Sequence, residues 1–221
     1  MHGPAKAIST LSGRIVTRLW QQRSYCRRVA FALAVCLAAC TSQETRPELN
    51  SERIQQTFGS YGVDVLSNDN KQRVSSLYSF DGRDKVTRTY AVVDFIDAAT
   101  SALEAEHTRI KSGQSIGDVF RKAGWTIEKR HQFIGEFDVP AAYAQIGRLM
   151  RIDLPQKLAA DVYVFVVSRN SRSYAYATIT EIHHPDYLSA ADLKRIYGEI
   201  LFDNSKRSGI EDFIGPPPGH Q

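Results

Sequence analysis

An uncharged apolar run of eleven residues near the N terminus, Val29 to Ala39, constrains this chain more than any other feature of its sequence. It directly follows Arg27 and Arg28. A helix that crosses a bilayer needs roughly 20 apolar residues, so the run is too short to span a membrane. It has the length and the basic flank of the apolar core of a secretory signal. A buried helix of a cytosolic domain would instead carry its apolar residues on one face. The run therefore predicts that residues 1–39 form an export signal.

The end of this run, Leu37-Ala38-Ala39-Cys40, resembles the lipobox of bacterial lipoproteins. That resemblance implies cleavage just before Cys40, diacylation of its thiol and acylation of the new amino terminus. It also implies a membrane partner, reached through the acyl chains on Cys40. Thr41 follows the cysteine, and lipoproteins that lack an aspartate there are generally sent to the outer membrane. The expected location is the bacterial cell envelope, lipid-anchored and facing the periplasm.

Removal of the signal changes the charge and the cysteine content of the protein. Residues 1–39 hold six of the 28 Lys and Arg and no Asp or Glu, which leaves 22 basic against 24 acidic side chains. A nearly neutral domain lacks the basic footprint that nucleic-acid binding needs. Cys26 and Cys36 leave with the signal and Cys40 becomes a thioether, so no disulfide framework and no thiol enzyme are expected.

The remaining chain divides by composition into three parts. Residues 40–50 are polar and interrupted by Pro47, as is typical of a flexible tether. Residues 206–221 end in Gly215-Pro216-Pro217-Pro218-Gly219, which cannot form a helix or a central strand, and predict a flexible tail. Residues 51–205 between them are long enough for a single domain with its own core.

Hydropathy patterning in 51–205 alternates between a period of two and a period of 3.6, which predicts the α+β class. We expect an antiparallel or mixed sheet with helices packed on one face. The predicted strands are 63–66, 74–80, 86–95, 125–137, 161–167 and 174–183. The predicted helices are 97–112, a short one capped by Ser115 and Asp118, 140–150, and one that begins at Ser189. In the last helix Leu193, Ile196 and Tyr197 share a face.

Two short segments raise the alternative of an internal duplication. Thr87-Arg88-Thr89-Tyr90-Ala91 and Ser171-Arg172-Ser173-Tyr174-Ala175 are similar, and each begins the second strand of a strand, turn, strand, helix unit. The two units would span 74–110 and 162–201. The other interpretation is that Tyr, Ala and hydroxyl residues recur because they suit a pleated surface.

The densest group of reactive side chains is Glu181, His183, His184 and Asp186. Imidazole and carboxylate are zinc ligands and general bases, so this group is the candidate metal or acid/base site. Its spacing matches no motif, and it comes where a strand should give way to a loop. We therefore expect side chains that are mostly solvated or engaged in local hydrogen bonds and that do not converge, with no catalytic residue, metal or cofactor. His131 is expected to be a partly buried histidine with a hydrogen-bond partner.

These observations favour a non-catalytic, membrane-tethered lipoprotein that acts in the periplasm by contact with an envelope protein or by binding a small ligand. The sequence contains no nucleophile elbow, phosphate-binding glycine loop or His-Glu-x-x-His helix. The alternative is a membrane-tethered periplasmic hydrolase or metal-binding enzyme that uses Glu181, His183, His184 or Asp186.

Overall fold

Two three-stranded meanders join into one antiparallel sheet of six strands. The computed structural model of the protein describes residues 48–200 and 209–217, all within one compact unit. The strand order is β1-β2-β3-β6-β5-β4, so the last strand of each meander lies at the centre of the sheet. The strands are β1 (Gly62–Asn68), β2 (Gln72–Asp81), β3 (Asp84–Phe95), β4 (Thr126–Val139), β5 (Gln156–Arg169) and β6 (Arg172–His183).

Helices cover both faces of this sheet, and the α+β class is confirmed. The helices are α1 (Asn50–Phe58), α2 (Asp97–Ala102), α3 (Glu104–Lys111), α4 (Ile116–Lys122), α5 (Ala144–Met150), α6 (Ala190–Tyr197) and α7 (Glu211–Ile214). We call the face that carries Val93, Tyr163 and Ile179 face A; α1, α2, α3, α4 and α6 pack on it. The opposite face B carries Val92 and Val162, and α5 and α7 pack there. The sequence predicts helices on one face of the sheet. The structure has helices on face B as well.

The hydrophobic core follows from strict alternation along the central strands. Successive side chains of a strand point to opposite faces. Residues 158–163 of β5 are all buried because helices lie on both sides of that strand, as its nearly continuous apolar run predicts. On face A the core has two parts, one under α2, α3 and α4 around Phe120, the other under α1 and α6 around Leu193. The polar site described below lies between these two parts.

Helix ends differ from the sequence prediction at two of three places. The predicted helix 97–112 is broken at Leu103, whose φ of −122° and ψ of 35° end α2 and begin α3. Ser115 makes no side-chain cap hydrogen bond at the start of α4, so the predicted capping box with Asp118 is wrong. The box at α6 is confirmed: Asp192 N donates to Ser189 Oγ over 3.1 Å and Ser189 N donates to Asp192 Oδ2 over 3.1 Å.

The architecture gives the chain two similar halves, but the five-residue similarity does not mark equivalent positions. Each half is a meander followed by a helix on face A. Residues 87–91 are buried in the middle of β3, whereas residues 171–175 lie at the turn into β6 and are mostly exposed. The segments therefore match in residue type without sharing an environment, which is the outcome expected from strand propensity alone.

The structure moves both predicted domain boundaries outward. Leu49 and Asn50, assigned to the tether, are buried, and α1 begins at Asn50. Ile210 and Phe213, assigned to the tail, are buried against face B because their apolar side chains cover Phe137 and Ile146. The predicted signal and Cys40 lie outside the described residues. Within the described ranges, no helix is long and apolar enough to cross a membrane.

Candidate functional site

A cluster of ionisable side chains is buried on face A between the two parts of the core. Its members come from neighbouring strands at positions of matching register: Asp161 of β5 pairs with Glu181 of β6, and His131 of β4 pairs with Tyr163 of β5. Because alternate residues share a face, Lys129 and His131, Asp161 and Tyr163, and Glu181 and His183 all project to face A. The register of β4, β5 and β6 therefore gathers side chains that are far apart in sequence.

Asp161 and His183 begin a chain of buried hydrogen bonds. His183 Nε2 lies 2.8 Å from Asp161 Oδ1, and His183 Nδ1 lies 3.0 Å from Thr89 Oγ1. Asn50 Nδ2 donates to Thr89 Oγ1 over 3.0 Å, and Tyr187 OH donates to Asn50 Oδ1 over 2.6 Å. If Thr89 donates its proton to Nδ1, then Nε2 is the donor to Asp161. This chain ties β3, β5 and β6 to α1 in the interior of the protein.

Lys129 places a positive charge beside Glu181. Its Nζ lies 3.6 Å from Glu181 Oε2 and 4.3 Å from the centre of the Tyr163 ring, a cation–π contact. The Lys129 side chain is only 9% exposed, and its Nζ is buried without a hydrogen-bond partner among the described residues. An ammonium with three unused donors in the interior is costly unless nearby negative charge compensates for it.

His131 and the second oxygen of Asp161 face each other without a hydrogen bond. His131 Nδ1 and Asp161 Oδ2 are 3.4 Å apart. Both ring nitrogens of His131 and Asp161 Oδ2 are buried and unpartnered within the part of the chain that the structure describes. Tyr197 of α6 covers His131, with ring centres 4.2 Å apart. The partial burial predicted for His131 is confirmed, whereas its predicted hydrogen-bond partner is wrong because Asp161 is too far away.

Burial and neighbouring charges set the charge state of the cluster. Burial alone would lower the pKa of Lys129, but Glu181, together with Tyr163, Tyr197 and Asp161, outweighs burial and raises that pKa well above its usual range. Burial alone would raise the pKa of Asp161, yet the hydrogen bond and the electrostatic interaction with His183, followed by the charge of Lys129, keep that pKa below its usual value. Burial lowers the pKa of His131, and Lys129 contributes to this. A charged lysine, an ionised aspartate and a neutral His131 are the result.

A small cavity of about 80 Å³ opens next to this cluster, between the N-terminal turns of α1 and α4. Lys129 and Glu181 lie in its wall together with Arg73, Asn50 and three serines, while most of the wall surface is apolar. The lining includes Leu49, Asn50, Tyr61, Val63, Arg73, Leu77, Ala91, Val93, Ile116, Phe165 and Ile179. Since a water needs about 10 to 15 Å³ of such space, the cavity has room for several waters or one small molecule.

Arg73 is a second buried cation at this cavity, but its N–H groups already donate hydrogen bonds to other residues of the protein. The residue is 2% exposed. Its Nη1 donates to the carbonyl oxygens of Ile110 at 3.0 Å and Gln114 at 2.8 Å, and its Nε donates to Ser75 Oγ at 2.9 Å. Arg73 thus satisfies carbonyls at the C-terminal end of α3. Lys129, whose Nζ has no such partner, is the donor available to a molecule in the cavity.

The structure separates the four candidate residues of the sequence. Glu181 and His183 are in the cluster, where donor atoms of Asp161, Glu181 and His183 lie within 4.8 Å of one another. His184 Nε2 instead lies 3.0 Å from the carbonyl oxygen of Met150, and Asp186 is exposed. The four do not converge, as predicted. The predicted solvation is wrong for the first three, because β6 is a central strand with helices on both faces.

Sequence reasoning missed Lys129 and Asp161 as site residues. Asp161 was placed at the start of an apolar strand, and its isolation as a charge between Ala160 and Val162 was the available signal. Lys129 lies within the polar stretch from Glu128 to Gln132 of β4, so nothing local distinguishes it from a surface lysine. Only the register of β4 with β5 brings its ammonium toward Glu181.

Thr89, His183 and Asp161 are residue types that form catalytic triads, but here they are not accessible to a substrate. Thr89 and Asp161 are 0% exposed and His183 is 1% exposed. A nucleophile must reach a substrate carbonyl, and the hydroxyl of Thr89 is already held between Asn50 and His183. The arrangement therefore supports a structural network rather than hydrolysis.

No family model, curated protein or solved structure was found to match this chain.

Proposed function

We propose that this protein is a lipid-anchored envelope lipoprotein whose domain binds a small, uncharged molecule in the cavity on face A. The observation that carries the proposal is the buried ammonium of Lys129, without a hydrogen-bond partner among the described residues, in the wall of a mostly apolar cavity. Binding sites combine apolar walls with a few well-placed polar groups. The tether and the lipid attached at Cys40 keep the domain at the membrane, as the resemblance to lipoproteins implies.

The chemistry of the cavity selects the class of ligand. Its volume of about 80 Å³ is far below the roughly 300 to 1,000 Å³ of common ligand pockets, so the molecule has only a few heavy atoms. The apolar walls favour an aliphatic body, and the unused donors of Lys129 favour one carbonyl or hydroxyl oxygen. The charge of Lys129 is balanced by Glu181 beside it, and the donors of Arg73 are engaged by Ser75, Ile110 and Gln114, so neither cation favours an anionic ligand.

Filling the cavity tests this proposal. Saturation-transfer NMR with butanol, 2-butanone and butyrate should detect the two neutral compounds on the wild-type protein and butyrate more weakly. Ala91 is buried in the cavity wall, so Ala91→Leu should occupy the space and weaken neutral-ligand binding at least tenfold. Ala191→Leu adds the same bulk on the exposed side of α6 and should leave binding unchanged. Equal signals in Ala91→Leu and wild type would refute the cavity as the binding site.

Anchoring through Cys40 has its own test. Cys40→Ser removes the thiol that would be acylated, so the precursor should keep its signal and incorporate no labelled fatty acid. Cys36→Ser, four residues earlier in the apolar run, is the matched control and should leave labelling intact. Labelled fatty acid on the Cys40→Ser protein would show that the lipoprotein assignment is wrong.

A metal-binding protein is the second candidate, favoured by the approach of Asp161, Glu181 and His183. Asp161 and His183 are at most 1% exposed and neither lines the cavity, so a molecule in the cavity meets only Glu181 of the three. The hydrolase alternative consequently has no support in this geometry. Metal binding without catalysis is the form of this candidate that fits the burial of the three residues.

A further inference from the structure

The buried cluster brings two carboxylates together. Asp161 and Glu181 supply them; Lys129 Nζ lies 3.6 Å from Glu181 Oε2, and His183 Nε2 lies 2.8 Å from Asp161 Oδ1. The second oxygen of Asp161 has no hydrogen-bond partner among the described residues. A carboxylate oxygen in a protein interior is costly without a hydrogen bond or a nearby cation, so one further cation beside this oxygen would stabilise the cluster.

Unpartnered donor atoms mark where such a cation fits. The 3.4 Å separation of His131 Nδ1 and Asp161 Oδ2 is too long for a good hydrogen bond. Two ligands of a tetrahedral zinc ion, with bonds of about 2.0 to 2.2 Å, lie about 3.3 Å apart. The pair thus has the spacing of two metal ligands. Neither atom has another hydrogen-bond partner among the described residues.

The neighbouring donors form a group of one imidazole and two carboxylates, and His131 meets this group at the second oxygen of Asp161. Donor atoms of Asp161, Glu181 and His183 lie within 4.8 Å of one another, so a contraction of about 1.5 Å at most would bring them to ligand spacing. His183 Nδ1 is held by Thr89, which is the kind of outer contact that orients a ligating imidazole. Nitrogen and oxygen donors of this type suit Zn²⁺ and similar first-row divalent ions.

We propose that His131, Asp161, Glu181 and His183 form a closed site for one divalent metal ion of the Zn²⁺ class, with the ammonium of Lys129 as its internal competitor. Ligation through Nε2 would leave Nδ1 of His183 as the hydrogen-bond donor to Thr89 Oγ1. The side chains of the four residues have no open face to solvent, so the ion stabilises the fold rather than catalyses a reaction. Of the four residues, only Glu181 also borders the cavity.

Metal titration of the purified full-length protein tests the site. Calorimetry should find one Zn²⁺ per chain, and Co²⁺ should give the visible absorption of a four-coordinate ion. Asp161→Asn keeps the shape of the side chain and should weaken Zn²⁺ binding at least 100-fold. His184→Ala removes a neighbouring buried histidine that contacts Met150 instead, and should leave the affinity within twofold.

The outcomes separate this site from the cavity. If Asp161→Asn unfolds at a much lower temperature than the wild type, His131→Gln is the second variant. It should also lose Zn²⁺ binding, and it should keep the circular dichroism spectrum of the wild type. Ala91→Leu should keep Zn²⁺ binding while it loses butanol, and His131→Gln should do the reverse. Absence of Zn²⁺ binding in the wild type, or equal affinity in the wild type and His131→Gln, would refute the metal site. Either result would leave the proposal of a small neutral ligand in the cavity unaffected.

Discussion

Replacing Lys129 by Met is expected to lower the free energy of unfolding by about 3 to 5 kcal/mol, the usual cost of removing one partner of a buried ion pair. Methionine fills similar space but leaves Glu181 and Asp161 without their cation. The side chain of Lys129 is 9% exposed, so solvent cannot supply the missing stabilisation. Urea denaturation followed by circular dichroism, in buffer that contains a metal chelator, measures the loss.

Lys157 gives the matched control. Its Nζ lies 3.7 Å from Asp138 Oδ2, but the two side chains are 65% and 81% exposed. Exposed pairs of this kind contribute about 0 to 1 kcal/mol, so Lys157→Met should hardly change the urea midpoint. Similar small losses in both variants would mean that Lys129 is not the compensating cation of the cluster.

Replacing Leu193 by Ala is expected to lower the free energy of unfolding by about 2 to 5 kcal/mol. Leu193 is 0% exposed and holds α6 against face A beside Leu188 and Ile54. The truncation leaves a cavity that the sheet beneath cannot close, since its backbone is fixed on both sides. Urea midpoints at constant m-value measure the effect.

Ile196, one turn along the same helix, is the control for Leu193. The sequence predicts both residues on one buried face, but Ile196 is 36% exposed, and Tyr197 is the residue of this turn that packs on the core. Ile196→Ala should therefore cost well under half of the Leu193→Ala loss. Equal losses for the two variants would contradict the packing of α6 described above.

Hydropathy patterning predicted most of this fold because the core depends on local alternation. The strands from Val74 to Phe80 and from Val86 to Phe95, with the turn at Asp81-Gly82, were readable from the sequence and appear as β2 and β3. The break at Leu103 was not readable, since Leu103 itself is buried and continues the apolar stripe. Terminal boundaries were missed because isolated apolar residues such as Leu49 and Phe213 give no periodic signal.

The site was only partly predictable because it is built across strands. Glu181 and His183 were recognised from their chemistry, and their shared strand face follows from the period of two. Their partners were not recognised, since Lys129 and Asp161 lie 52 and 20 residues before Glu181 in the sequence and meet it only through register. Burial was also misjudged: polar residues at the end of a strand usually mark the exit to solvent, but here α1 and α6 cover them.

The measurement that tests the account most directly is the zinc dependence of stability in the Lys129→Met protein. With Lys129 gone, Zn²⁺ has no internal competitor for the two carboxylates, and it should restore about 2.7 kcal/mol of unfolding free energy at 100 times its Kd. The same addition to a Lys129→Met, Asp161→Asn double variant should restore far less. Unchanged stability of Lys129→Met with and without Zn²⁺, or equal rescue of the double variant, would contradict a cation-requiring cluster on face A.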